Sequence, residues 1–308
     1  MKRYIWPTIG LSAVVFSAWL LYHELRGISL NEVWDSLVAI SHLHWLLCIA
    51  MAILAYAALA GYDHLALQHI RKRVGWFYIT FTSFTTYALS HNIGASVFSG
   101  SVVRYRGYST KGLTAADVGV MVAFCSFTFA LATVFLAGLV LVIEPTILER
   151  FVDMLPLEAT TFTGWFLLGL VGLYVIGSTL KLPPLRFGSI ELAYPRLSLV
   201  ARQLIIGPLE IAAAAAIIYF ALPAAGNPGY VVVLGIFLVS FSLALLSHAP
   251  GGLGVLEIAF IAGLSEMDPV DVIAALLIFR LLYLLVPLVI ALFIVLGFER
   301  RQLSDSYS

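Results

Sequence analysis

The sequence predicts an all-α polytopic membrane protein with about six spanning helices and two opposed re-entrant helical hairpins in an inverted repeat. Three observations predict it. First, 61% of the 308 residues are hydrophobic and only 11% are charged, against roughly 25% charged in soluble domains. Several stretches reach the about 20 apolar residues that a span needs. Second, two apolar segments are broken in the middle. Residues 240–265, SFSLALLSHAPGGLGVLEIAFIAGLS, contain Pro250, which removes a backbone donor, and Gly251, Gly252 and Gly254, which favour non-helical dihedrals. Irregular backbone survives at membrane depth only where protein covers it or where it lines a wet cavity. Third, SFTTYALSHNIGA at 83–95 aligns without gaps on SFSLALLSHAPGG at 240–252, sharing Ser83/Ser240, Phe84/Phe241, Leu89/Leu246, Ser90/Ser247, His91/His248 and Gly94/Gly251. After each copy an Asp-Val pair, Asp117-Val118 and Asp271-Val272, opens a long apolar run.

Taken in order, span one covers 5–22, an apolar run behind Lys2 and Arg3 without a small-residue cleavage motif, and is read as retained. Residues 28–40 read as a short amphipathic helix lying at the interface. Span two covers 44–62 and leads to the basic cluster Arg71, Lys72 and Arg73. The first broken segment, 76–108, is rich in Ser, Thr and Gly. Span three is 115–143, followed by an acidic connector, and span four is 162–180, followed by a polar stretch. Span five is 203–222, the second broken segment 230–265 and span six 270–297. The whole chain, 1–308, reads as one integral membrane domain, with repeats at about 76–143 and 230–297. Gly75, Gly119 and the alanine run 212–216 suggest close helix packing. Cys48 and Cys125 both fall in predicted spans and form no disulfide or metal pattern.

Charge distribution gives an orientation. If both broken segments return to the side from which they start, fourteen of the 17 Lys and Arg residues fall on one side. Arg26 and Arg150 fall on the other, and Arg280 stays within the membrane. Cytoplasmic loops carry the Lys and Arg excess, so the reading is a multi-pass protein of the cytoplasmic (inner) membrane with both termini cytoplasmic. The two copies then have opposite orientations. Inverted repeats with interrupted helices meeting near the midplane are a transporter architecture.

Arg280 lies nine positions past Asp271, so roughly 13 Å deep at ~1.5 Å per residue. A guanidinium at that depth is costly and should face the bundle and find an anion. That anion is either a helix carboxylate, in a structural pair, or a substrate group such as phosphate, which suits bidentate Arg geometry. Glu257, three residues past Gly254, is the natural carboxylate partner, and a proton-coupling role is the sharper alternative; Glu210, inside span five, is a second candidate. His91 and His248 occupy equivalent places at the two breaks, either satisfying loose backbone groups or relaying protons. Arg104 and Arg106, with Tyr105 and Tyr108, are expected near the cytoplasmic headgroup level, as interfacial anchors or as receivers of lipid headgroups. No nucleophile elbow, zinc motif or phosphate-cradling loop occurs, so no enzyme activity, metal or cofactor is expected.

The segments SVVRYRGYSTKGLTAADV, SHAPGGLGVLE and FRLLYLLVPL together resemble the lysylphosphatidylglycerol synthase transmembrane (flippase-domain) family of bacteria and archaea, over about residues 44–297. In fused members this membrane region precedes a soluble domain that transfers lysine from aminoacyl-tRNA to phosphatidylglycerol. This chain ends at Ser308, which on that resemblance suggests the stand-alone membrane form. The resemblance implies movement of a phospholipid or modified lipid between leaflets. It places Arg104, Arg106, Gly251, Gly252, Gly254, Glu257 and Arg280 in the family's motif segments. The expected partners are membrane phospholipids, with a homo-oligomer and a separate lipid-modifying enzyme left open, and no nucleic acid. The inverted repeat equally suits a secondary transporter of a small anionic solute, and a non-transporting membrane scaffold is the third reading.

Overall fold

Helix starts follow the capping chemistry of the sequence. The computed structural model describes residues 38, 40–93, 96–151, 160–180, 185–187, 190–192, 195–247 and 254–305. Helix α1 (His42–His69) begins at Ser41, whose hydroxyl accepts the His44 N–H at 3.3 Å. Helices α2 (Trp76–Ile93) and α3 (Ser96–Ser109) follow. Helix α4 (Ala115–Ile143) opens with a capping box in which Thr114 and Asp117 each accept the other's backbone N–H. A 3-10 turn (Ile147–Phe151) comes before α5 (Thr161–Thr179). Two short antiparallel strands, β1 (Leu185–Phe187) and β2 (Ile190–Leu192), come before α6 (Leu197–Ala221). Helices α7 (Tyr230–Ser247), α8 (Val255–Gly263) and α9 (Pro269–Phe279) come next, and α9 is capped by the Asp268 carboxylate with Pro269 at its first position. A π-helical segment (Arg280–Leu285) then joins α9 to α10 (Val286–Asp305).

Among the described residues five helices are long and apolar enough to cross a membrane: His42–His69, Ala115–Ile143, Thr161–Thr179, Leu197–Ala221 and the run Pro269–Phe298. The protein is a multi-pass membrane protein. Large apolar side chains such as Ile53, Phe77, Phe162 and Phe293 are exposed around its outside, as expected for a surface that faces hydrocarbon. The most extensive helix contact is α1 on α6, where Ala55, Leu59 and the alanines 213–216 are buried.

Both broken segments fold as helical hairpins. Helix α2 lies against α3, and the start of one is tied to the end of the other: the Tyr78 hydroxyl donates to the Gly107 carbonyl at 2.8 Å. Lys72 pairs with Asp117 at 3.4 Å, so this mouth lies by the start of α4. Helix α7 lies against α8. Arg150, just past the end of α4, donates to the Gly263 carbonyl and to Glu266 at 2.8 Å, so the second mouth lies by the opposite end of α4. Among the described residues, five helix contacts around the first hairpin have counterparts around the second. The α1–α2, α2–α3, α3–α4, α1–α4 and α2–α10 contacts are matched by α6–α7, α7–α8, α8–α9, α6–α9 and α7–α4.

The described fold is helical, as expected, apart from the short β1–β2 hairpin in the polar stretch after α5. Other expectations need correction. Spans two and five are longer than expected, since the polar residues His64, Gln68 and Arg202 are held inside the helices by one another: Gln68 bonds His64 at 2.7 Å and accepts from Arg202 at 3.1 Å. Gly75 and Gly119 have open space where a side chain would point, so neither marks a close helix contact. Close contact is made elsewhere, as between Gly138 of α4 and Gly164 of α5, where a Cβ on either glycine would come within 3.1 Å of the other's carbonyl oxygen. Span one and nearly all of the 28–40 helix lie outside the described residues.

Small residues let membrane helices approach when no hydrophobic force separates helix from lipid. Gly138→Leu should therefore destabilise the fold by about 1–3 kcal/mol through overpacking. Gly119→Ala should leave stability within about 0.5 kcal/mol. Thermal unfolding in detergent separates the two outcomes.

Candidate functional site

The site is organised by a widened turn. Pro287 has no N–H to give the Tyr283 carbonyl, and its ring crowds that carbonyl in a regular α-helix. The helix responds with a π segment, in which the Val286 N–H reaches back five residues to the Leu281 carbonyl. Such turns concentrate at functional sites. The carbonyls displaced from the α-helical pattern are taken up by neighbours. The Tyr56 hydroxyl of α1 donates to the Tyr283 carbonyl at 3.0 Å, and Asn92 of α2 donates to the Leu284 carbonyl at 3.2 Å.

Arg280, at the start of this segment, is 3% exposed. Its Nε donates to Glu257 Oε1 at 2.8 Å, and its Nη2 lies 2.7 Å from the same oxygen. Glu257 stands in the first turn of α8, behind Gly254, whose positive φ of 76° is a conformation that a side chain would strain. The carboxylate is half-buried, and its Oε2 accepts no hydrogen bond among the described residues. Asn92, near the end of α2, and Glu257, near the start of α8, therefore bring both hairpins to one segment, with their contacts about one turn apart.

Two more expected residues join the segment from other sides. Glu210 of α6 does not pair with Arg280; its Oε1 accepts the Tyr283 hydroxyl at 2.6 Å. His91 of α2 bonds no backbone group through Nδ1, which has no hydrogen-bond partner among the described residues. Its ring stacks on Tyr283 at 5.4 Å and lies 5.7 Å from the Tyr87 ring.

Arg104 is not an exposed anchor: it is buried inside the bundle, where Asp63 receives it. Nε and Nη2 donate to Asp63 Oδ1 at 3.1 and 2.8 Å, and Tyr108 donates to Oδ2 at 2.9 Å. The guanidinium also lies over the Tyr87 ring, 4.8 Å from its centre. Cys125 approaches the same carboxylate, at 3.7 Å. Through Tyr87 and His91 this cluster connects to Tyr283. Arg106 is half-buried, with its guanidinium 5.9 Å from the Phe298 ring centre. His248, Gly251 and Gly252 lie outside the described residues. Sequence reasoning missed Asp63, Tyr283, Tyr56 and Asn92. Asp63 carried the same signal as Arg280, a lone charge in an apolar run, but the expected span stopped at Tyr62.

Residues 9–291 match the family described as the lysylphosphatidylglycerol synthase TM region. The chain belongs to this family. The match spans both buried ion pairs and the π segment. Among relatives, the Synechocystis protein slr0712 is 27% identical over 97% of this chain and 95% of its own length. The inner membrane protein YbhN of Escherichia coli is 28% identical over 92% of this chain and 88% of its own length. A phosphatidylglycerol lysyltransferase of Staphylococcus haemolyticus is 24% identical over 94% of this chain, a region that makes up 33% of that protein.

Removing one partner of a buried pair leaves the other charge uncompensated, which costs about 3–5 kcal/mol. Arg104→Met alone should lower the unfolding midpoint in detergent sharply, and Arg104→Met with Asp63→Leu should recover most of the loss. A double variant no more stable than the single one would remove the pair as the cause.

Proposed function

We propose that this protein moves a phospholipid or a modified lipid between the leaflets of the cytoplasmic membrane, as a carrier and not an enzyme. The observation that carries the reading is the convergence of both hairpins on the π segment that holds Arg280. The pairwise correspondence of helix contacts supports an inverted repeat, in which the hairpins are re-entrant and their inner ends meet near the midplane. In such architectures substrate binds at the repeat interface. A headgroup carries charge that hydrocarbon rejects, and a polar interior lowers that barrier. The lipid assignment draws on family membership and on the Staphylococcus relative, whose name pairs it with phosphatidylglycerol.

In mechanism, an anionic headgroup displaces Glu257 as the partner of Arg280. The guanidinium is never left bare, because one anion replaces another. Asn92 and Tyr56 hold the π segment open by taking its carbonyls, and the acyl chains stay in lipid outside the bundle.

The test is leaflet exchange of fluorescent phosphatidylglycerol and phosphatidylethanolamine in proteoliposomes. Wild type should accelerate exchange, and folded Arg280→Ala should lose at least about tenfold of it, as expected for a contact to a charged group worth about 1.5–3 kcal/mol. Uptake of inorganic phosphate without exchange of either lipid would replace this reading with that of a solute transporter.

Orientation has its own test. The exposed basic end, with Arg71, Lys72 and Arg73, should face the cytoplasm. Since Cys48 and Cys125 are buried, single new cysteines can be labelled with an impermeant maleimide. Glu149→Cys should react in intact cells, and Arg73→Cys only after permeabilisation. The reverse pattern would invert the topology.

A further inference from the structure

We infer that Glu210 is a proton-binding site, held as a neutral carboxylic acid in this sealed arrangement and linked through Tyr283 to the segment that carries Arg280. The inference rests on the translocation reading and adds to it the ion that would couple to lipid movement.

Glu210 is 4% exposed, and no cation pairs with it among the described residues. Its Oε1 accepts the Tyr283 hydroxyl at 2.6 Å, while Oε2 is buried without a hydrogen-bond partner among those residues. The helices packed against α6 bring hydroxyls toward Glu210, those of Tyr283 and Tyr62, but among the described residues no cation to balance its charge. Helix α1 presents Tyr56 and Tyr62, whose hydroxyls donate to the Tyr283 and Gly207 carbonyls, and Asp63, which is bonded to Arg104. Helix α4 presents Cys125, which approaches Asp63; α5 presents Tyr174, which donates to Gln203; and α7 presents Tyr230, which donates to the Ala212 carbonyl. The π segment presents Tyr283 itself and Arg280, which is paired with Glu257. Among the described residues the two buried cations thus have their own carboxylates, and Glu210 is the third acid. An unpaired carboxylate in such surroundings takes up a proton instead of staying charged.

The position makes the proton consequential. Tyr283 lies three residues after Arg280, gives its hydroxyl to Glu210, gives its carbonyl to Tyr56 and stacks on His91. Water reaching Oε2 would allow the proton to leave, and the resulting carboxylate would hold the Tyr283 hydroxyl more tightly. Proton occupancy and the setting of the π segment are therefore linked, so a proton gradient has a route to the headgroup site.

The experiment is infrared difference spectroscopy of the full chain in lipid, stepping the pH. Wild type should show the C=O stretch of a buried protonated carboxyl that disappears at high pH. Glu210→Gln, which still accepts from Tyr283, should lack that band. Tyr283→Phe should keep the band at a shifted frequency, because the bonded donor is gone. In proteoliposomes a pH gradient should change the wild-type exchange rate by up to about tenfold per pH unit for one coupled proton, and that response should vanish in Glu210→Gln. A carboxyl band that persists in Glu210→Gln, or no band in wild type, overturns the proton site. A Glu210 band in a wild-type protein that exchanges no lipid upholds the proton site and overturns the transport reading instead.

Discussion

A charge placed inside a bundle that sits in hydrocarbon must find its counter-charge in the protein, because no water is there to supply one. Much of this interior follows from that rule. Arg104 draws in Asp63, and Tyr108 and Tyr87 close around the pair. Arg280 draws in Glu257 and so ties α8 to the π segment. These bonds fix where each hairpin's return arm can lie, since a shift of even a few ångströms would leave a guanidinium bare.

The two hairpins use the rule with opposite signs. In the first, the return arm α3 carries the cation, and the acid comes from α1, earlier in the chain. In the second, the return arm α8 carries the acid, and the cation comes from the helix that follows. The five helix contacts around each hairpin correspond, but the chemistry does not, so the two hairpins are polar in distinct ways. The Asp63–Arg104 pair is more deeply covered and more fully bonded, as expected of a fixed part. The Glu257–Arg280 pair has a half-buried acid whose second oxygen accepts no hydrogen bond among the described residues.

Where the apolar pattern alone decides, the sequence was readable. The span expected at 115–143 is the helix Ala115–Ile143, and both broken segments are pairs of helices. The repeated Asp-Val feature proves to mark helix starts: Asp117 completes a capping box, and Asp271 sits one turn inside a helix capped by Asp268. Partner identity was not readable. Asp63 and Arg104 are 41 residues apart, Glu210 and Tyr283 73, and no local periodicity links them. The glycines at 75 and 119 misled for the same reason, since close approach depends on which helix lies opposite. Pro287 was not read as a break within the span expected at 270–297, and its consequence depends on Tyr56 and Asn92 arriving from other helices to take the loosened carbonyls.

The π segment also settles a problem of helical phase. Val272, Leu276, Arg280, Leu284 and Leu288 are all buried, each four residues after the last. In a regular α-helix such a series winds around the axis by about 40° per step, which would carry the later members away from the core and toward lipid. The wider turn at 280–285 absorbs part of that winding. Coiled coils correct a similar mismatch by bending two whole helices around each other. Here one helix does so locally, within one turn of the arginine, and keeps a straight stripe facing inward while Ile273, Val289 and Phe293 face out.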